Sequence, residues 1–231
     1  MPVFPYFDVY YLYFILPALI FTIWAQVRLK STYAKYGRIF NRSGMTGAEA
    51  ARYILDQNGL QHIRIERVSG QLTDHYSPKE GVIRLSDSTY AAGTIGAVGV
   101  AAHECGHAIQ YDVGYLPIKI RNAIIPVTQI GSQLAWPLFV IGLIFQFGIL
   151  LDIGILLFFA VTVFQLITLP VEFNASRRAM ATLESSSMLA EDELKGARKV
   201  LTAAAMTYVA ALATALANLL RMIALRGRRD D

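Results

Sequence analysis

AAHECGHAIQ, residues 101–110, is the stretch from which the rest of the chain can be read. It sets His103 and His107 four positions apart, with Glu104 between them. On an α-helix of 3.6 residues per turn, positions four apart lie within roughly 40° of each other, so both imidazoles can reach one tetrahedral Zn2+. Glu104 falls roughly 100° round from His103, beside such an ion and not on it. There its carboxylate can take a proton from a water whose pKa the metal lowers to roughly 7. A His-Glu-x-x-His helix thus offers two ligands and a base, against the plainer reading of two solvated surface histidines. Gly106 leaves room beside the second histidine for another backbone to approach. Cys105, two residues from each histidine and so roughly 200° away, is expected to point elsewhere, as small buried filler.

Composition sets the surroundings. Hydrophobic residues make up 55% of the 231 and mean hydropathy is +0.42, more than a soluble globular protein carries. Residues 6–27 (YFDVYYLYFILPALIFTIWAQV) are long enough to span a bilayer, with Asp8 as their only charge. Without a basic leader or a small-residue cleavage site they read as an uncleaved anchor. Tyr6, Phe7, Tyr10, Tyr11, Tyr13 and Trp24 gather towards the ends, where rings meet headgroups. Arg28, Lys30, Lys35, Arg38 and Arg42 come directly after the span, while no Lys or Arg precedes it. That asymmetry places the chain beyond the anchor on the cytoplasmic side of a cell membrane. It also explains the basic run as topology and lipid contact, with no nucleic-acid partner required. A single Cys excludes an internal disulfide and agrees with a reducing compartment.

Residues 43–116 read as a small α+β unit. Thr46 and Glu49 have capping-box spacing, and Asn58-Gly59 stops the helix they begin. Strands are expected over 61–68 and 82–85, separated by a turn at 77–81. Ser86-Asp87-Ser88 and Thr94 offer N-caps for a short helix and for the helix carrying the histidines. The strand over 82–85 is either an ordinary sheet member or a free edge able to hold an extended peptide through main-chain bonds.

Two further spans are expected at 124–147 and 149–169, with a tight turn near 148–152. Lys119 and Arg121 precede the first, Arg177 and Arg178 come after the second, and the turn has neither Lys nor Arg. Both flanks are therefore cytoplasmic. Two crossings return the chain to the face it left, so Glu172 emerges on the side of His103 and His107 and becomes the candidate third ligand. A carboxylate is a usual complement to two histidines on a zinc with one open position. Pro170 favours a helix starting here, and the competing reading makes Glu172 a first-turn partner of the helix dipole.

The segments AAHECGHAIQ (101–110), DHYSP (74–78), IRLS (83–86), PVEFNASRRA (170–179) and TYVAA (207–211) together resemble the YugP-like family of prokaryotic membrane zinc metallopeptidases, over most of the chain. That family is similar to the HtpX-type membrane proteases, in which a transmembrane hairpin also separates the metal helix from a later ligand Glu. The resemblance implies His103, His107 and Glu172 as zinc ligands and Glu104 as general base. It also suggests Asp where this chain has Asn174. Asn can accept a hydrogen bond but brings no charge to brace a ligand histidine. For stabilising the oxyanion, His75, Tyr76, Arg178 and Tyr208 are candidates, with Tyr208 and His75 favoured by their matched segments.

The expected fold is α+β and mostly helical. An anchor occupies 1–28, a small zincin-like catalytic domain takes 29–118 and 171–231, and a transmembrane hairpin, 119–170, is inserted in it. Residues 200–220 are long enough for a fourth span but have basic residues on both sides, and are expected to pack against the catalytic part along the membrane surface. The tail at 226–231 is expected to be solvated or to touch headgroups. The expected function is a membrane-embedded zinc metalloendopeptidase acting on protein or peptide substrates, membrane proteins among them. Its rivals are an intramembrane protease with Asp152 as third ligand and a zinc-binding scaffold without catalysis. The oligomeric state, the substrate and its cleavage preference, and regulation are not encoded in any motif.

Overall fold

The computed structural model describes residues 9–227. Tyr6, Phe7 and Asp8 of the expected anchor, and Arg228 and Arg229 of the tail, lie outside the described residues. A π-helical turn, Tyr11–Ile15, leads into helix α1 (Leu16–Tyr36). Then come α2 (Gly47–Gln57), strands β1 (Arg64–Val68), β2 (His75–Ser77) and β3 (Val82–Ser86), and the short α3 (Asp87–Tyr90). The metal-motif helix α4 (Ile95–Asp112) is followed by three long helices, α5 (Leu116–Phe145), α6 (Gly148–Ser185) and α7 (Glu191–Gly227). The molecule is mostly helical, with one small sheet.

The backbone divides into two units. One comprises Val27–Ile118 and Val171–Met206. Its core is set by α2 and α4, whose apolar faces meet over Ala51, Ile54, Leu55, Val98, Ala101 and Cys105. Each fully buried Ile, Leu or Val there stabilises by about 1.5–3 kcal/mol. The capping box at the start of α2 is formed: Thr46 Oγ1 accepts from Glu49 N–H, and the Glu49 carboxylate accepts from Thr46 N–H at 2.8 Å. Gly59 takes the left-handed φ of +74° that ends the helix. Thr94 caps α4 by accepting from Ala97 N–H.

The sheet has the order β1-β3-β2, with β1 parallel and β2 antiparallel to β3. This settles the free-edge question: Val82–Ser86 is hydrogen-bonded on both sides, and the edges are Arg64–Val68 and His75–Ser77, the latter a strand too short to leave a periodic signature. Asp74 fixes that strand's entry, accepting from Ser86 N–H at 2.8 Å and from Ser86 Oγ at 3.0 Å.

The other unit comprises Met1–Gln26, Lys119–Pro170 and Thr207–Asp231. Phe139, Leu151 and Met222, all buried, pack α5, α6 and α7 together. Three differences from the expected topology appear here. The hairpin turns at Gln146 (φ +60°) and Phe147, while residues 148–152 are already helical. Pro170 sits inside α6, not ahead of a new helix, so Glu172 is in mid-helix, where the dipole-capping reading has no basis. The segment 200–220 belongs to α7, which from Thr207 onward groups with the apolar helices and not with the α2–α4 core. The physical reason lies in its basic end. Arg226 Nε donates to Asp152 Oδ1 at 3.0 Å, and Arg221, 4% exposed, sits 5.5 Å from the Tyr11 ring and 5.6 Å from the Trp136 ring. Paired and ring-stacked guanidinium groups no longer oppose burial as free charges would. Among the described residues, four helices are thus long and apolar enough to cross a membrane, one more than the firm expectation.

Candidate metal centre

The α2–α4 unit brings His103, His107 and Glu172 together. The two histidines face the same way from α4, their rings 4.8 Å apart and nearly perpendicular. Glu172 arrives from α6, and Gly106 is the residue that lets it arrive. A Cβ built there would stand 2.5 Å from the Ala175 carbonyl oxygen, so α6 passes α4 at a distance only glycine permits. The close approach expected beside the second histidine is therefore made, by the backbone at Ala175.

Distances test whether this donor set suits zinc. Glu172 Oε2 lies 3.4 Å from His103 Nε2 and 3.5 Å from His107 Nε2. These are long for an N–H···O bond, which peaks near 2.9–3.0 Å. Two donors each about 2.0–2.1 Å from a tetrahedral ion, however, stand about 3.3 Å apart. Both glutamate–histidine distances match edges of a zinc tetrahedron, the three donor atoms all lie within 4.8 Å of one another, and the side chains have little exposure, 15%, 13% and 3%. Two imidazoles and one carboxylate are also a usual catalytic zinc donor set.

The other ring nitrogens are held. His107 Nδ1 is 3.0 Å from Gln110 Oε1, which can only accept, so this nitrogen carries the proton and Nε2 is free to ligate. Gln110 is wholly buried and is itself locked, its Nε2 donating to Val171 O at 2.8 Å and to Asn174 Oδ1 at 3.0 Å. Asn174 Oδ1 also accepts from Arg178 Nε at 2.8 Å. Asn174 therefore reaches His107 through Gln110, and the charge an Asp would add there would fall on Arg178. His103 Nδ1 is 3.2 Å from Ser176 Oγ. Gln110 and Ser176 were not singled out from sequence, although one is three residues past His107 and the other four past Glu172. That spacing puts each on its ligand's own helix face.

Electrostatics follow the crowding. Burial, the largest influence, holds the Glu104 carboxyl above its usual range; the two histidines oppose this, and Asp74 and Glu172 add to it. Burial disfavours the His107 cation, but Glu172 and Glu104 outweigh it and the imidazole titrates above its ordinary value. Glu172, past the end of the apolar run at Pro170, is likewise opposed by burial, yet its contacts with both imidazoles hold it well below the carboxylate range. A pocket that favours ionised Glu172 favours a cation between these groups.

The remaining sequence candidates are dispersed. His75 is exposed on the edge strand, its Nδ1 2.9 Å from Thr73 O. Tyr76 packs edge-to-face on Tyr111 of α4 at 5.5 Å, and burial raises its phenol. Tyr208 belongs to the part of α7 grouped with the apolar helices. Cys105 points away from the metal donors, its Sγ 3.6 Å from Ala51 O in the α2–α4 core. Asp152, the alternative third ligand, is engaged by Arg226.

Comparison with known proteins gives the chain a family. Over 223 residues, 96% of this chain and 99% of the relative, the sequence is 45% identical to a Bacillus subtilis (strain 168) protein named "Putative membrane protease YugP". No solved structure matches. Residues 11–227 match the family described as "Putative neutral zinc metallopeptidase", and the chain belongs to that zinc peptidase family.

Proposed function

We propose that this protein is a membrane-embedded zinc metalloendopeptidase with its site facing the cytoplasm. The observation that carries this reading is the spacing of His103 Nε2, His107 Nε2 and Glu172 Oε2, which matches zinc donors and not hydrogen bonds. His103, His107 and Glu172 would hold the ion. Zinc, when bound, supplies Lewis acidity, polarising a peptide carbonyl and making water acidic enough to attack near neutral pH. Glu104, buried on the same helix and with no hydrogen bond to its carboxylate among the described residues, is the base that takes the attacking water's proton and returns it to the leaving amine. Its raised pKa brings it closer to neutrality, where proton transfer in both directions is most efficient. Gln110 and Ser176 orient the two imidazoles through their Nδ1 atoms, which would leave both Nε2 atoms free to hold the ion. The small sheet, α4 and Glu172 form a zincin-like catalytic domain. The edge strand His75–Ser77 presents its free side to an extended peptide, with His75 and Tyr208 as the candidate donors to the oxyanion. Cytoplasmic placement rests on Arg28, Lys30, Lys35 and Arg38 directly after the first apolar helix segment.

Glu104→Gln, purified in nanodiscs and loaded with zinc, is the test. Casein cleavage should fall by about 10²–10⁴-fold, the range general-base loss produces, with bound zinc unchanged. Zinc-loaded wild type that cleaves neither casein nor a membrane protein, and that Glu104→Gln leaves unaltered, would make the metal structural. Tyr208→Phe and a His75→Ala variant enter the same assay, and either residue is removed from the oxyanion role by unchanged turnover.

A further inference from the structure

Between the catalytic-unit stretches of α6 and α7 lies a cavity of about 390 Å³, large enough for a substrate side chain and its neighbour. Its apolar surface comes from Phe173, Met180, Leu201 and Ala205. Two guanidinium groups line it, and their situations differ. Arg198 is neutralised by Glu184, Nη2 to Oε1 2.6 Å, which ties α7 to α6 across the cavity. Arg177, on the wall formed by α6, makes no hydrogen bond or ion pair among the described residues. The charges therefore sum to one uncompensated positive group over an apolar floor. Ser176 lines the same cavity and holds His103 by Nδ1, the imidazole nitrogen that does not face Glu172. The cavity therefore shares a wall residue with the metal centre itself.

We propose that this cavity is a substrate subsite that takes an apolar side chain followed or preceded by Asp or Glu, with the carboxylate on Arg177. The assignment rests on the peptidase reading above. Charge complementarity selects the acidic residue, and the apolar floor selects its neighbour. Ser176 puts one wall of the cavity a single hydrogen bond from His103, which favours a substrate subsite over a lipid headgroup site.

The test uses the full-length, zinc-loaded protein in nanodiscs and a proteome-derived peptide mixture, with cleavage sites read by mass spectrometry. Wild type should show Asp or Glu enriched at one fixed position near the scissile bond, next to an apolar residue. Arg177→Glu should lower that enrichment by about fivefold, the limit for an exposed pair. Capture of the same mixture by Glu104→Gln and by Glu104→Gln/Arg177→Glu reads binding independently of turnover. Acidic enrichment in capture without any cleavage keeps the subsite and discards the peptidase. Cleavage with the same residue profile in wild type and Arg177→Glu does the reverse. Peptides captured equally by both forms, or by neither, overturn the subsite. So does an Arg177→Glu effect confined to flotation with phosphatidylglycerol vesicles, which assigns Arg177 to the lipid surface.

Discussion

Gly106→Ala is the smallest change that should separate zinc binding from folding. The new Cβ would lie 2.5 Å from Ala175 O, 3.1 Å from Ala175 C and 3.2 Å from Ala175 Cα. All three are backbone atoms, so no rotamer change relieves the clash. Restoring an ordinary carbon–oxygen contact requires α4 and α6 to part by roughly 1 Å, given contact distances near 3.5 Å. Zinc sites tolerate errors of about 0.2 Å in ligand distance, and Glu172 and Ser176 both travel with α6. The 3.4 and 3.5 Å edges to the histidines should therefore open beyond the reach of one ion. Zinc affinity, measured by competition with a chromophoric chelator, should weaken by about 10–100-fold, as when a ligand's supporting contacts are lost. Stability should fall by no more than about 2.5 kcal/mol, because overpacking costs about 1–3 kcal/mol while replacing Gly in a helix returns about 0.5–1 kcal/mol. Gly99→Ala is the control on the same helix: its Cβ would meet Ala197 Cβ at 3.4 Å, an ordinary contact, so zinc binding should be unaltered. A Gly106→Ala protein with zinc affinity within twofold of wild type would refute the argument that glycine sets the distance between ligands.

Three more outcomes are expected. Glu172→Gln should lose stoichiometric zinc by elemental analysis while Asp152→Asn retains it, since Asp152 is spoken for by Arg226; equal zinc in both would reopen the choice of third ligand. Gln110→Ala should weaken zinc by about 10–100-fold in the same chelator competition and leave Val171 O and Asn174 Oδ1 with one fewer partner; an affinity within twofold of wild type would remove Gln110 from that role. At low pH the sheet should weaken: hydrogen bonds from Arg84 and Ser77 lower Glu80 from 4.5 to about 2. A depressed carboxylate stabilises above its unfolded pKa and ceases to do so as pH falls through its folded one, so the loss spans pH 4.5 to 2. Glu80→Gln should flatten the pH dependence of Tm in that window, and an unchanged slope would place the acid sensitivity elsewhere.

The metal centre was more legible than the membrane half, for physical reasons. His103 and His107 are one helical turn apart, so local geometry alone aligned them. Glu172 required only that two crossings return the chain to its starting face, which hydropathy supplies. Gln110 and Ser176 were missed because neither residue type announces a metal, although both sit at helical spacing from a ligand. The helix start at Pro170 was misplaced because a long apolar helix can carry a proline in its interior, as α6 does. The fate of residues 200–220 could not be read from charge counts. Arg221 and Arg226 find partners in Tyr11, Trp136 and Asp152, which are 74 or more residues away in sequence. Strand His75–Ser77 is held by β3 and by Asp74, with too few residues to alternate visibly.

Cys105 carries a practical consequence. Its thiol is fully buried against Ala51 and burial pushes its pKa upward, so in the folded protein it is neither ionised nor reachable. Alkylating and oxidising reagents used during purification should leave the neighbouring histidines undisturbed. The same isolation makes this single thiol a clock for the α2–α4 core: its rate of modification measures how often that core opens, at the one place where opening also exposes the helix that carries the metal donors.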